Sequence, residues 1–321
     1  MREAFRTKVP KGKIKVKYWI DKKKGKYSYW HTTAELLTDQ ILHVVNYYNK
    51  IDIKLTNRQL YYQLVGKDWI PNAMEIYKKL CVFLTDLRYC GTIDWNIIED
   101  KGRRAERMPE WEGMKELIST ATDMFRLPRR ADQEYYIEIY CEKEAGINTL
   151  QPVADEYHVH FGYNKGYSSA AALYKLAQRL QDAIEEGKYG VILYFGDHDP
   201  SGLDMIRDIS ERVEEFLTGG RWPCSPAFKV IPVSLTMEQV EHYNPPPNPA
   251  KLNDPRSKWY IEKYGDISWE LDAIDAQELR RLARTWIEQF TDMDQYNAIK
   301  AQEEVKKEAL IEFGENYQDN E

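Results

Sequence analysis

The 321-residue chain lacks any run of eighteen apolar residues, so no membrane-spanning helix is expected. Its N-terminus carries charge but no apolar stretch after it, which argues against a secretory signal. Cysteine is scarce. Cys81, Cys90, Cys141 and Cys224 lie far apart, none forms a Cys-x-x-Cys pair, and the histidines do not cluster with them. A zinc site is therefore not expected. Cys81 falls on a helix-like apolar stripe and Cys141 ends a strand-like run, so both read as small buried hydrophobes in a reducing cell. No glycine-rich nucleotide-binding motif and no internal repeat stand out.

What is there is an ordinary globular composition, 43% hydrophobic and 30% charged, with an uneven charge distribution. The formal net charge is −7. Residues 1–27 hold eleven Lys or Arg against two acids, a net of +9, which leaves −16 for the remainder. A basic arm on an acidic body can bind phosphate, although a solvated tail gives the same pattern.

Helical spacing of Leu36, Leu37, Ile41, Val44 and Val45 predicts a helix from Thr33 to Tyr48. Thr56 is placed to cap a second helix running through Val65, and Asn72 to cap a third over residues 73–89. A short strand is expected at Lys13–Ile20. With a strand-like Ile93–Ile98 and a basic Lys101–Arg107 loop, the pattern suggests a winged helix-turn-helix over residues 28–130. Lys78, Lys79 and Arg88 on the third helix, and Arg103 and Arg104 in the wing, are then candidate DNA contacts. A further helix and linker fill residues 109–130.

From residue 134 the pattern changes. Strand-like Tyr136–Cys141, His158–Tyr163, Tyr189–Phe195 and Phe228–Leu235 alternate with helices at Ile147–Tyr157, Ser169–Glu186 and Leu203–Leu217. That alternation argues for a mostly parallel, Rossmann-like sheet over residues 131–290, with chemistry at the C-terminal strand ends. Tyr243–Pro255 reads as loop. Residues 268–312 return to helix, and 291–321 form a helical C-terminal extension. The fold class is thus α/β plus α.

Two of those strands end in acids. Glu142-Lys143-Glu144 follows the first, and Gly196-Asp197-His198-Asp199-Pro200-Ser201-Gly202 follows Tyr189–Phe195. Neighbouring parallel strands would bring Glu142, Asp197 and Asp199 to one sheet edge. Three such carboxylates repel unless a cation sits among them, and Mg²⁺ is the natural occupant. The plainer reading makes Asp-x-Asp a strand-to-helix turn, with Asp199 as N-cap. Glu144 competes with Glu142 for the ligand role. Lys143 could meet phosphate or solvent, and Gly166, Ser168 and Ser169 could also approach it.

A Glu after the first strand and a glycine-flanked Asp-x-Asp after a later one resembles the Toprim domain of topoisomerases, primases and related nucleases. Upstream stands Arg58-Gln59-Leu60-Tyr61-Tyr62. Tyrosine doublets are common in a chain with 23 tyrosines, and half-buried packing is the plain reading. The order of parts, Arg-x-x-Tyr-Tyr on a helix-turn-helix before Asp-x-Asp-Pro-x-Gly, resembles the topoisomerase VI A subunit and the related meiotic double-strand-break transesterase. The resemblance spans roughly residues 33–285.

It implies that Tyr62 attacks DNA with help from Arg58, that Glu142, Asp197 and Asp199 hold Mg²⁺, and that Glu270 lies near the metal. The last rests on a looser match of 269–274, where Leu271 and Asp272 depart from the family pattern. It further implies double-stranded DNA as partner, and a homodimer in which one copy's tyrosine meets the other's metal. The family's A subunit works with a separate ATPase B-type subunit, but this chain is about the size of stand-alone A-like proteins, so such a partner is left open; a cytoplasmic, nucleoid-associated location in a prokaryote or its virus is expected. A hydrolytic Toprim nuclease, in which Tyr62 is only structural, and a non-catalytic DNA-binding protein remain alternatives.

Overall fold

The computed structural model describes residues 9–22, 24–94, 97–99, 108–163, 167–219, 227–250 and 256–317. The chain is mixed α/β with a four-stranded parallel sheet. Among the described residues no helix is long and apolar enough to cross a membrane.

The lysine-rich N-terminal stretch is not simply an arm. Strands β1 (Lys13–Asp21) and β2 (Lys26–Thr33) form an antiparallel hairpin. Its Ile14, Val16, Tyr18 and Trp30 pack on a helical core. Three helices build that core: α1 (Ala34–Lys50), α2 (Asn57–Gly66) and α3 (Met74–Tyr89). Thr33 caps α1 through the Leu36 amide. Thr56 caps α2 reciprocally with Gln59, satisfying amides that the first turn cannot pair internally. Ala73, not Asn72, is the N-cap of α3 and makes no side-chain cap bond. Asn72 instead reaches Tyr61 and the 247–248 backbone and side chain.

Two-residue strands β3 (Leu55–Thr56) and β4 (Ile98–Glu99) pair in parallel behind α2. The strand expected at Ile93–Ile98 is thus confined to its far end. The Lys101–Arg107 loop expected as the wing, with Arg103 and Arg104, lies outside the described residues.

Helix α4 (Met114–Met124) leads to the sheet of β5 (Tyr135–Cys141), β6 (His160–Tyr163), β7 (Tyr189–Phe195) and β8 (Phe228–Ser234). Their order is β6-β5-β7-β8, all parallel. Helices α5 (Ile147–Glu156) and α10 (Ala276–Gln289) cover one face. Helices α6 (Ala170–Glu185) and α7 (Pro200–Thr218) cover the other. Ile137 to Cys141 and Val191 to Phe195 are all buried, as strands sandwiched between two helical layers must be. From β5 the chain goes one way to β6 and returns past β5 to β7. A crevice opens where that order reverses, at the C-terminal ends of β5 and β7.

The 243–255 stretch is not all loop. After α8 (Met237–Tyr243), β9 (Asn248–Pro249) pairs with β10 (Ile267–Ser268), and α9 (Ser257–Tyr264) lies between them. The last helix, α11 (Met293–Asn316), is docked rather than trailing. Its Glu303 is fully buried and takes two bonds from Arg129 and one from the Leu127 amide.

Candidate functional site at the strand ends

Glu142 follows β5 and Asp197 follows β7. The ladder carries on past the strands, with the Glu142 amide donating to the Phe195 carbonyl at 2.8 Å. Glu142 Oε2 then accepts the Asp197 amide at 2.7 Å. Two glycines permit this approach. A Cβ on Gly202 would stand 2.2 Å from the Asp197 carbonyl oxygen and 3.0 Å from Glu142 Oε2, and one on Gly196 would stand 2.9 Å from Glu142 Oε2. Neither contact is tolerable without displacement.

The expected meeting of three carboxylates is realised only in part. Glu142 and Asp197 come together. Asp199 caps α7, accepting from the Gly202 amide at 2.7 Å and Ser201 Oγ at 2.8 Å, while its charge still acts on Glu142. The N-cap reading therefore describes Asp199 in this conformation. Among the described residues no three acidic, histidine or cysteine side chains form a ready-made metal cage.

A cation of the chain itself lies at this edge. Lys143 Nζ sits 2.6 Å from Asp197 Oδ2 and 3.1 Å from Glu270 Oε2. Lys143 thus faces carboxylates of its own chain. Asp197 Oδ1 also accepts the Leu271 amide at 2.9 Å.

Glu270 precedes the short 3-10 turn Leu271–Ala273 and joins the two halves of the molecule. Arg58 grips it through two guanidinium nitrogens, with Nε at 2.9 Å from Oε2. The same guanidinium lies 5.6 Å from the centre of the Tyr62 ring. Tyr62 Oη accepts from Asn248 Nδ2 at 3.0 Å. Arg58, Tyr62, Asn248 and Glu270 line one wall of a cavity of about 690 Å³ that also reaches Tyr18, Trp19 and Lys22 of the hairpin.

The charges are unbalanced. Glu142, Asp197, Asp199, Glu270 and Asp272 repel one another, against Lys143 and Arg58. Burial and the neighbouring Asp197 push Glu142 up to about 8. Burial also raises Asp197, with Lys143 opposing, and lifts Asp272 to about 6. Burial works to raise Glu270 too, but Lys143 and Arg58 outweigh it and hold it at about 2. Burial, then the Glu270 charge, holds the Tyr62 phenol above its ordinary range.

Asp272 Oδ2 is buried with no hydrogen-bond donor, its nearest cation being Arg58 Nε at 3.7 Å. An orphaned buried oxygen, oxygen-only donors and surplus negative charge fit a hard divalent cation. Glu142, Asp197, Asp199 and Asp272 supply the oxygen donors at this edge, although as they stand no three of the described acids are grouped to hold an ion.

The other expected residues are scattered. Lys78 and Lys79 are exposed on α3, open to a polyanion. Arg88 is buried and donates to the Ile98 carbonyl at 2.6 Å, so it supports the fold rather than DNA. Arg and Lys at neighbouring helical positions look alike in sequence, and only packing separates them. Ser169 caps α6 and Ser168 is buried, while Gly166 lies outside the described residues. Glu144 sits in the 3-10 turn Glu144–Gly146, and it is Glu142, not Glu144, that touches Asp197. Asn248 and Asp272 were missed. Glu270-x-Asp272 offered a second acidic pair as a signal, whereas Asn248 in a Pro-rich stretch offered none.

Compared with protein-family models, curated proteins and solved structures, the chain finds no match.

Proposed function

We propose that the chain is a Mg²⁺-dependent DNA-cleaving transesterase of the topoisomerase VI A kind, with a winged-helix tyrosine domain and a Toprim domain, whose centre is assembled within one chain. The observation that carries this reading is the continuous line of contacts from Tyr62 through Arg58, Glu270 and Lys143 to Asp197 and Glu142.

In this reading Tyr62 Oη forms a bond to a backbone phosphorus as the bond to the 3′ oxygen breaks. The phenolic proton leaves to solvent and the 3′ oxygen gains one. The product is a 5′-phosphotyrosyl link with a free 3′-hydroxyl. Arg58 and Lys143 offset charge on the phosphoryl oxygens, and Asn248 orients the phenol. Held by Glu142, Asp197 and Asp272, a bound Mg²⁺ would add Lewis-acid stabilisation of that charge. With DNA bound, Lys143 would exchange Asp197 and Glu270 for a phosphate oxygen, which leaves Asp197 free to hold the cation and Glu270 to Arg58. Double-stranded DNA is the substrate class, and two copies acting together would give a double-strand break.

A hydrolytic nuclease is the second reading. It is favoured by the burial of Tyr62, only 3% exposed, and by its raised phenol. Plasmid cleavage with Mg²⁺, stopped with denaturant and no protease, separates the two. Transesterification leaves protein on the DNA, and Tyr62→Phe abolishes both adduct and cutting. Cutting that survives in Tyr62→Phe without adduct establishes hydrolysis.

A further inference from the structure

The β1–β2 hairpin takes no part in the chemistry above, yet its outer face alternates lysines with aromatic rings. Alternation along β1 turns Lys13, Lys15, Lys17 and Trp19 outward, and along β2 it turns Tyr27, Tyr29 and His31 outward. Register places Lys15 beside His31, Lys17 beside Tyr29 and Trp19 beside Tyr27. Trp19, Tyr27 and Tyr29 are 38%, 48% and 43% exposed, large fractions for aromatic rings in a folded chain.

The rings form a row. Trp19 to Tyr27 is 5.9 Å and Tyr27 to Tyr29 is 5.8 Å between centroids, both edge-on. Lys17 Nζ stands 3.8 Å over Tyr27 and Lys15 Nζ 4.2 Å over Tyr29. Residues 9–33 carry eight lysines and one aspartate in a chain of net charge −7. Lysines alone would suffice to guard a hairpin edge against aggregation, and three exposed rings would defeat that purpose. Trp19 and Lys22 also line the cavity that holds Arg58, Tyr62 and Glu270, so the face runs into the candidate centre.

We propose that this face binds an unpaired DNA strand, its bases stacked on Trp19, Tyr27 and Tyr29 and its phosphates on Lys15 and Lys17. Flat rings interleaved with cations match what a single strand offers together, phosphates beside open base faces, and a duplex hides the base faces. The choice of DNA rests on the cleavage reading above. In that setting the platform holds a strand opened beside the cut.

The test is fluorescence anisotropy of a labelled oligothymidylate of about 20 nucleotides, long enough to span such a platform, with the full chain and no Mg²⁺. Wild type binds with an affinity that falls as salt rises. The Tyr27→Ala/Tyr29→Ala variant binds at least about tenfold more weakly with an unchanged salt slope, because stacking rather than charge is lost. Tyr27→Phe/Tyr29→Phe binds like wild type. Lys15→Gln/Lys17→Gln lowers the salt slope by about 1–2. Unchanged melting temperatures confirm that each variant folds. Equal binding by the alanine variant overturns the proposal, as does tighter binding of a matched duplex or of oligouridylate. Binding through these rings without adduct formation keeps this site and removes the transesterase. Adduct formation with binding indifferent to the rings does the reverse.

Discussion

Arg58 on α2 holds the carboxylate of Glu270, 212 residues further along the chain, in a two-pronged ion pair. That pair ties the helical N-terminal unit to the acidic edge of the sheet. It also places a cation against the Tyr62 ring and a second carboxylate beside Lys143. A planar guanidinium makes this double contact and a lysine ammonium does not.

Removing Arg58 should therefore cost both fold and function. Arg58→Ala leaves Glu270 with Lys143 alone. The loss should be about 1–3 kcal/mol, below the range for fully buried pairs because Arg58 keeps 35% of its side chain exposed. Urea denaturation measures it. Arg58→Lys should recover part of the stability and little of the adduct formation.

Glu142 gives a pH signature. Its folded value of about 8 lies above its ordinary 4.5, so the metal-free folded chain holds an extra proton between those limits. Stability from this group is full below 4.5 and is lost as pH rises through about 8. A divalent cation must displace that proton, so Mg²⁺ affinity should rise with pH up to about 8 and then level off. Calorimetry in buffers of different ionisation enthalpy should show proton release at neutral pH. Glu142→Gln should abolish that release and, without metal, resist urea better than wild type at pH above 7. Affinity independent of pH across this window would contradict the assignment.

Gly202→Ala tests the close approach of the two strand ends. The added methyl meets the Asp197 carbonyl oxygen at 2.2 Å, which cannot be accommodated without moving the Asp197 loop off Glu142. Overpacking of this kind costs about 1–3 kcal/mol. Thermal melting should fall, and Mg²⁺ binding should weaken with it.

The tyrosine doublet should divide cleanly. Tyr61 Oη accepts the Ala73 amide at 2.7 Å and bonds Asn72 at 3.0 Å, fixing the entry to α3. Tyr61→Phe orphans that amide and should lower stability by about 1–3 kcal/mol while leaving cleavage per folded molecule intact. Tyr62→Phe loses the Asn248 bond and the hydroxyl's interaction with Glu270, so its stability should change by about 1–2 kcal/mol, while adduct formation disappears.

Local chemistry made much of this legible in the sequence. Thr56 and Asp199 read as caps because their side chains can serve an amide three residues on, and the structure uses them so, whereas Asn72 read the same way and Ala73 takes that position. The alternating strands and helices after residue 134 give the parallel sheet, and its order puts Glu142 beside Asp197. The hairpin was harder, because Lys at every second position reads as a charged tail until the Ile14-Val16-Tyr18 face is seen against the helices. Contacts between distant segments left no local trace. Nothing near Arg58 announces Glu270, nothing near Asn248 announces Tyr62, and nothing near Lys143 shows that it neutralises Asp197. Asp199 was legible twice, as ligand and as cap, and only coordinates show which bond it makes.

The claim that one chain carries the whole centre is tested most directly by mixing two broken copies. Tyr62→Phe keeps the carboxylates and Asp197→Ala keeps the tyrosine. Co-expressed with tags of different size and incubated with labelled DNA and Mg²⁺, the pair should form no covalent adduct, although wild type with either tag does. Labelled DNA attached to the Asp197→Ala chain would mean that its tyrosine had used its neighbour's carboxylates, and the single-chain centre would be wrong.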